Sequence, residues 1–189
     1  MVEKRIFYIT SDRLTVYWAT NNDVHQDTSF TLDDESYADF SEYLKDNADT
    51  SSDVLVDVMD EEFRIDTMPH LFGNDRRAVQ DRKLKQLFHQ TCYRGVEIQG
   101  REKNGRRDDQ VLLTALTNPE PLQQWIKAML KFKVPVVGIY SLPMLAQYFV
   151  KKLHIKTDHS LLFIPQHGGM IRQIFLQNAA IKISRLLPT

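Results

Sequence analysis

The chain has 189 residues, enough for one sizeable core or one core plus a fragment. Its 24 Lys and Arg nearly cancel its 25 Asp and Glu, so no overall field draws it to nucleic acid or an acidic membrane surface, and both are set aside as general partners. A single cysteine, Cys92, excludes an internal disulfide framework and fits a reducing compartment.

In chain order, Arg5, Ile6, Phe7, Tyr8 and Ile9 predict a strand, Ser11 and Asp12 a turn, and residues 14–19 the returning strand of a hairpin. Residues 21–27 are a polar turn and 28–32 a third strand. Asp33 and Asp34 cap a helix over 35–45, whose Tyr37, Phe40, Tyr43 and Leu44 share one face. Residues 54–58 form a nearly continuous apolar run, the pattern of a strand covered on both faces. Residues 63–65 are extended, 68–73 a loop, and Asp75 caps a second helix over 76–90 with Val79, Leu84, Leu87 and Phe88 inward.

Residues 93–98 and 110–116 read as strands joined by a charged, glycine-containing hairpin loop over 100–109. Asn118 starts a third helix with Pro119 at its first position, and Leu122, Trp125, Ile126, Met129 and Leu130 make its apolar stripe. Residues 134–140 read as a buried strand, followed by a helix over 143–153 capped by Ser141. From residue 160 a new three-stranded meander begins, with Gly168 and Gly169 supplying the positive φ of its first turn. The chain thus opens with one meander and closes with another, with strand–helix alternation between them. This order implies a mixed sheet covered by helices.

That order, together with the run Asp53 through Pro69, Trp125 in its helix, the strand end Gly138, Ile139, Tyr140, Ser141, Leu142, Pro143, and the closing Ser184 and Arg185, resembles the actin-like ATPase superfold. Within it the chain resembles the branch of the pilus-assembly protein PilM and the cytoplasmic domain of the secretion protein GspL. The resemblance implies an α/β, actin-like (ribonuclease H-like) mixed sheet with flanking helices. Residues 1–157 would be a first lobe, and 158–189 the opening meander of a second, truncated one. It also implies protein partners in an assembly platform at the cytoplasmic face of the inner membrane.

Actin-like enzymes hold nucleotide phosphates with one hairpin turn per lobe, each with an Asp that organises Mg²⁺ and a Gly that lets backbone N–H groups approach. The matching residues here are Ser11, Asp12 and Arg13, with no glycine, and Gly168 and Gly169, after a strand that carries Ile164 and Pro165 instead of an acid. The expectation is a scaffold without catalytic residues, cofactor or metal. The alternative is an ATPase that holds ATP with Mg²⁺ in atypical turns.

No P-loop and no nucleophile elbow occurs. None of the six histidines pairs at the spacing of a zinc site; His154 and His159 straddle a helix end. Cys92 reads as a buried, inert thiol, against an activated one beside a basic helix. Asp57 is expected at an exposed edge or paired with a base such as Arg64, against a role as a catalytic acid. The loop over 101–107 reads as a solvated hairpin tip, against a phosphate or acidic-lipid site. Arg76, Arg77, Arg82, Lys83 and Lys85 form a basic helix face, either merely solvated or a docking surface for an acidic partner. No membrane span is expected in the chain, and an unpaired meander edge predicts a homodimer through residues 160–185.

Overall fold

The computed structural model describes residues 4–21, 23–155 and 157–189. Its elements are β1 (Lys4–Thr10), β2 (Arg13–Ala19), β3 (Val24–Thr31), α1 (Asp34–Asn47), β4 (Ser52–Asp57), β5 (Glu61–Met68) and α2 (Gly73–Leu87). They continue with β6 (Arg94–Arg101), β7 (Asp109–Leu116), α3 (Glu120–Lys131), β8 (Val136–Ser141), α4 (Leu142–Lys152), β9 (His159–Gln166), β10 (Met170–Gln177) and β11 (Ala180–Pro188). The mixed α/β class and the element order are those expected. The chain folds as two compact units, Met1–Met59 with Glu120–Ala146, and Asp60–Pro119 with Gln147–Thr189. The closing meander falls in the same unit as β5, β6 and β7.

The first unit is built on a five-stranded sheet in the order β3-β2-β1-β4-β8. The tight turn after Thr10 makes β1 and β2 antiparallel, while the α1 crossover returns β4 parallel to β1, with Phe7 opposite Val54 and Ile9 opposite Val56. Phe7, Ile9, Leu14 and Val16 are buried on β1 and β2. α1 lays Phe40 and Leu44 among them, and its N-cap Asp33 accepts from the Ser36 N–H at 2.8 Å. α3 contributes Leu122, Trp125 and Met129, all essentially inaccessible. The Trp125 ring sits 4.3 Å from Tyr37 and 5.1 Å from Phe40, edge-on to the latter.

The second unit contains two three-stranded sheets, β5-β7-β6 and β11-β10-β9. α2 covers the first, packing Val79, Leu84 and Leu87, with Phe88 just after them, onto Met68, Val111, Leu113 and Ala115. The meander turns at Gly168 and Gly169, with φ of 78° and 74°. Gln99 of β6 reaches β11, donating to the Ile181 carbonyl at 2.9 Å. Among the described residues, no helix is long and apolar enough to cross a membrane.

Several local expectations are corrected. β8 is an edge strand, not a buried one: Val137 is 60% and Tyr140 42% exposed. A continuous apolar run does not by itself say how many neighbours a strand has. Asp57 is fully buried rather than at an exposed edge; it lies opposite Thr10 of β1 and accepts from the Tyr8 hydroxyl. Cys92 is exposed, not buried. α2 begins at Gly73, so Asp75 lies in its first turn and the cap position is Phe72, which makes no side-chain cap. The φ of 56° at Gly73 explains that start, since few other residues adopt it. Pro119 precedes α3, which opens at Glu120.

Candidate functional site

The β1–β2 turn is locked by its own side chains. Thr10 Oγ1 donates to Asp12 Oδ1 at 2.6 Å, and Arg13 Nε donates to Asp12 Oδ2 at 3.0 Å. Partial burial pushes the Asp12 carboxyl up, but these two donors outweigh it and hold the group below its ordinary value. Ser11 Oγ accepts from the Met59 N–H at 3.1 Å. The Asp predicted as this turn's acid therefore has both oxygens committed within the turn.

The β9–β10 turn has the opposite composition. Gly168 and Gly169 supply the left-handed backbone, and the Gly169 carbonyl accepts from both the N–H and the Oγ1 of Thr189, each at 2.8 Å. A Cβ on Gly169 would meet that Oγ1 at 3.3 Å. No carboxylate lies within this turn, and Pro165 on the strand before it has no N–H to offer. The first turn carries an acid that accepts from Thr10 and Arg13, and no glycine; the second carries glycines and no acid.

The basic face of α2 divides into two groups. Arg76 donates to the Leu71 carbonyl at 2.6 Å and lies over the Phe72 ring. Lys83 bonds the Thr67 carbonyl at 2.6 Å and pairs with Asp66 at 2.8 Å. Both fasten α2 to the chain that precedes it. Arg77, Arg82 and Lys85 are exposed, and they are what remains of this face for an acidic partner. In the 101–107 loop, Arg101 donates to the Arg107 carbonyl at 2.9 Å and Arg106 pairs with Asp108 at 3.0 Å, the self-satisfied pattern of a hairpin tip.

Three polar features were not legible in the sequence. Arg5 is fully buried, bonded to Ser52 Oγ at 3.0 Å and stacked 4.6 Å from the centre of the Phe7 ring. It ties β1 to the start of β4. Tyr8 donates to Asp57 Oδ2 at 3.0 Å in the same sheet. In the second unit His70 Nδ1 meets the buried Asp109 at 2.7 Å, fastening the loop before α2 to β7. An Arg or Asp within a strand signals the solvent side, and nothing in spacing reveals these partners. His159 stacks on Phe175 at 5.9 Å. Among the described residues no group of three or more His, Cys, Asp or Glu could hold a metal.

A five-stranded sheet that opens with a meander, receives a parallel strand through a helix, and is followed by a second meander defines an actin-like fold. Comparison with solved structures agrees. The cytoplasmic domain of EpsL, an inner-membrane component of the type II secretion system of Vibrio cholerae, superposes with a TM-score of 0.54 at 12% identity, covering 98% of this chain and 71% of that one. A Bacteroides thetaiotaomicron protein with an actin-like ATPase fold gives 0.51 at 7% identity over 100% and 70% of the two chains. A structure of the PilM–PilN type IV pilus biogenesis complex gives 0.57 at 8% identity over 96% and 60%. No protein-family model matches the chain, and no curated protein matches it by sequence. At such identities the likeness is one of fold.

Proposed function

We propose that this chain is a non-catalytic, actin-like component of a bacterial pilus-assembly or type II secretion-like platform, acting by binding proteins at the cytoplasmic face of the inner membrane. The observation that carries this reading is the Asp12 carboxylate. In a fold otherwise suited to nucleotides, the one acid in either turn is already held by Thr10 and Arg13. The likeness in fold to the EpsL cytoplasmic domain and to PilM in complex with PilN supports the platform setting. On this reading residues 1–157 are the first lobe and 158–189 open the second, because β9, β10 and β11 repeat the meander of β1, β2 and β3.

The partner on this reading is another protein of the platform, a counterpart of PilN in the PilM–PilN complex, bound through a segment on the cytoplasmic side. The exposed Arg77, Arg82 and Lys85 supply the charge complementarity for an acidic stretch of it. The test is a fluorescence-anisotropy titration of such a segment, taken from the same genome, against the wild-type chain and the triple variant R77E/R82E/K85E. Binding that weakens at least tenfold in the variant supports the reading. The absence of binding to any cytoplasmic segment of the platform's inner-membrane proteins would overturn it.

A further inference from the structure

The β5–α2 loop and the hairpin tip between β6 and β7 come together at one end of the sheet β5-β7-β6. Met68, the last residue of β5, lies opposite Asp109, and Asp109 lies opposite Arg101 at the end of β6. His70 Nδ1 bonds the Asp109 carboxylate at 2.7 Å, and the Phe72 ring stands edge-on to His70 at 4.7 Å. The loop is thereby fastened to the strand that the hairpin tip leads into. All of these residues lie within Asp60–Pro119, inside one compact unit.

Phe72 is 72% exposed, more than any other large apolar side chain among the described residues. An exposed ring alone signifies little. This one is held in place, with His70 at its edge and the Arg76 guanidinium 5.4 Å from its centre. The charge around it is one-sided. Arg101, Lys103 and Arg107 are exposed on the hairpin tip, which the Glu102 N–H closes by donating to the Asp108 carbonyl at 2.9 Å. Of the acids in the tip and in the first turn of α2, Asp108 pairs with Arg106 and the buried Asp109 with His70, which leaves Glu102 and Asp75 against those cations. The chain as a whole carries a net charge of -1, so this end is a local reversal of sign.

We infer that this end of the second unit is a membrane-contacting surface: Phe72 enters the interface of a bilayer, and Arg101, Lys103 and Arg107 meet anionic lipid headgroups. The inference rests on the platform reading for its setting and adds a lipid contact made by this chain itself. A protein partner would have to supply both a pocket for a protruding ring and acids on the side of the hairpin tip. The interface of an anionic bilayer supplies both at once, since it yields to an aromatic ring and presents phosphates around it. Each Lys or Arg near such a surface raises partitioning about fivefold. One ring and three cations therefore hold the chain reversibly, and lasting attachment needs a second contact, which the platform partner provides.

The test is co-sedimentation of the full chain with vesicles of phosphatidylcholine alone and of phosphatidylcholine mixed with phosphatidylglycerol, at low and at raised salt. The wild type is expected on the mixed vesicles and not on the neutral ones, with binding that falls as salt shortens the screening length. F72S and K103E/R107E change exposed side chains only, which far-UV circular dichroism checks, and the charge variant is expected to bind the mixed vesicles at least about tenfold more weakly. F72S is expected to weaken binding too. F72W is expected to bind as the wild type does and to be quenched beyond it by bromine-labelled acyl chains, a readout that a purely electrostatic contact would not move. No binding to the mixed vesicles, equal binding to both kinds, variants that bind unchanged, or a bound F72W that brominated lipid leaves unquenched would each overturn the inference. Tip variants that lose a platform protein but keep the vesicles would overturn it too. The vesicles contain no protein, so a failure here leaves the partner reading standing, and a failed titration with the partner's segment leaves this inference standing.

Discussion

Trp125 is the side chain on which the packing of the first unit is most exposed to test. It is fully buried and fills the space between α3 and α1, with the Tyr37 and Phe40 rings at 4.3 and 5.1 Å. Its Nε1 makes no hydrogen bond. Replacing it by Ala removes the whole indole and leaves a cavity that flanking strands and helices close only in part, a cost of about 3–5 kcal/mol. The ring contacts belong to that cost and are not added to it. A domain of this size has about 5–15 kcal/mol in total, so Trp125→Ala removes a large share. Trp125→Phe is the sharper variant. It keeps a ring against Phe40 and sacrifices no hydrogen bond, so the expected loss is about 1–2 kcal/mol. Urea unfolding followed by far-UV circular dichroism reads both as shifts in midpoint at constant slope. A loss under about 1 kcal/mol for Trp125→Ala would refute the packing argument, and so would equal losses for the two variants, which would mean the indole N–H matters after all.

Other expectations follow from single contacts. Tyr8→Phe removes a donor from the buried Asp57 carboxylate and should cost about 1–3 kcal/mol; an unchanged urea midpoint would show that the bond contributes nothing. Gly168 sits at φ 78°, so Gly168→Ala should cost about 1–2 kcal/mol, whereas Gly100→Ala, at ordinary φ with only the Gln110 side chain nearby at 3.8 Å, should cost less. Asp12 and Asp66 are both held below their ordinary pKa: burial raises each, and donors from Thr10 and Arg13, or from Lys83 and the Thr67 backbone, more than reverse it. A carboxyl lowered on folding contributes stability that is present above its unfolded pKa and is lost as pH falls through its folded value. The urea midpoint should therefore drop below about pH 4, and Asp66→Asn should flatten that drop; a variant as acid-sensitive as the wild type would contradict it.

Both meanders were legible because Ser11 and Asp12, Gly168 and Gly169, and Gln177 and Asn178 interrupt β-branched and aromatic runs where a turn must form. The inward faces of α1 and α2 were legible from helical periodicity, and Phe40, Leu44, Leu84 and Phe88 are indeed buried. Whether an apolar strand has one neighbour or two depends on contacts distant in sequence, which is why 134–140 looked buried although β8 lies at an edge. The same limit hid Asp57 and Arg5, charged residues whose burial is made tolerable by Tyr8 and by Ser52 with the Phe7 ring. At the candidate site, residue types located the turns. The commitment of Asp12 to Thr10 and Arg13 needs side-chain directions that a turn sequence does not specify.

The central claim, that this actin-like fold works by recognition and not by nucleotide chemistry, is tested most directly by calorimetric titration of MgATP into the chain. The account predicts no heat of binding and no thermal shift at millimolar MgATP. Saturable binding at micromolar concentration, lost in G168V/G169V with the rest of the fold intact, would contradict it.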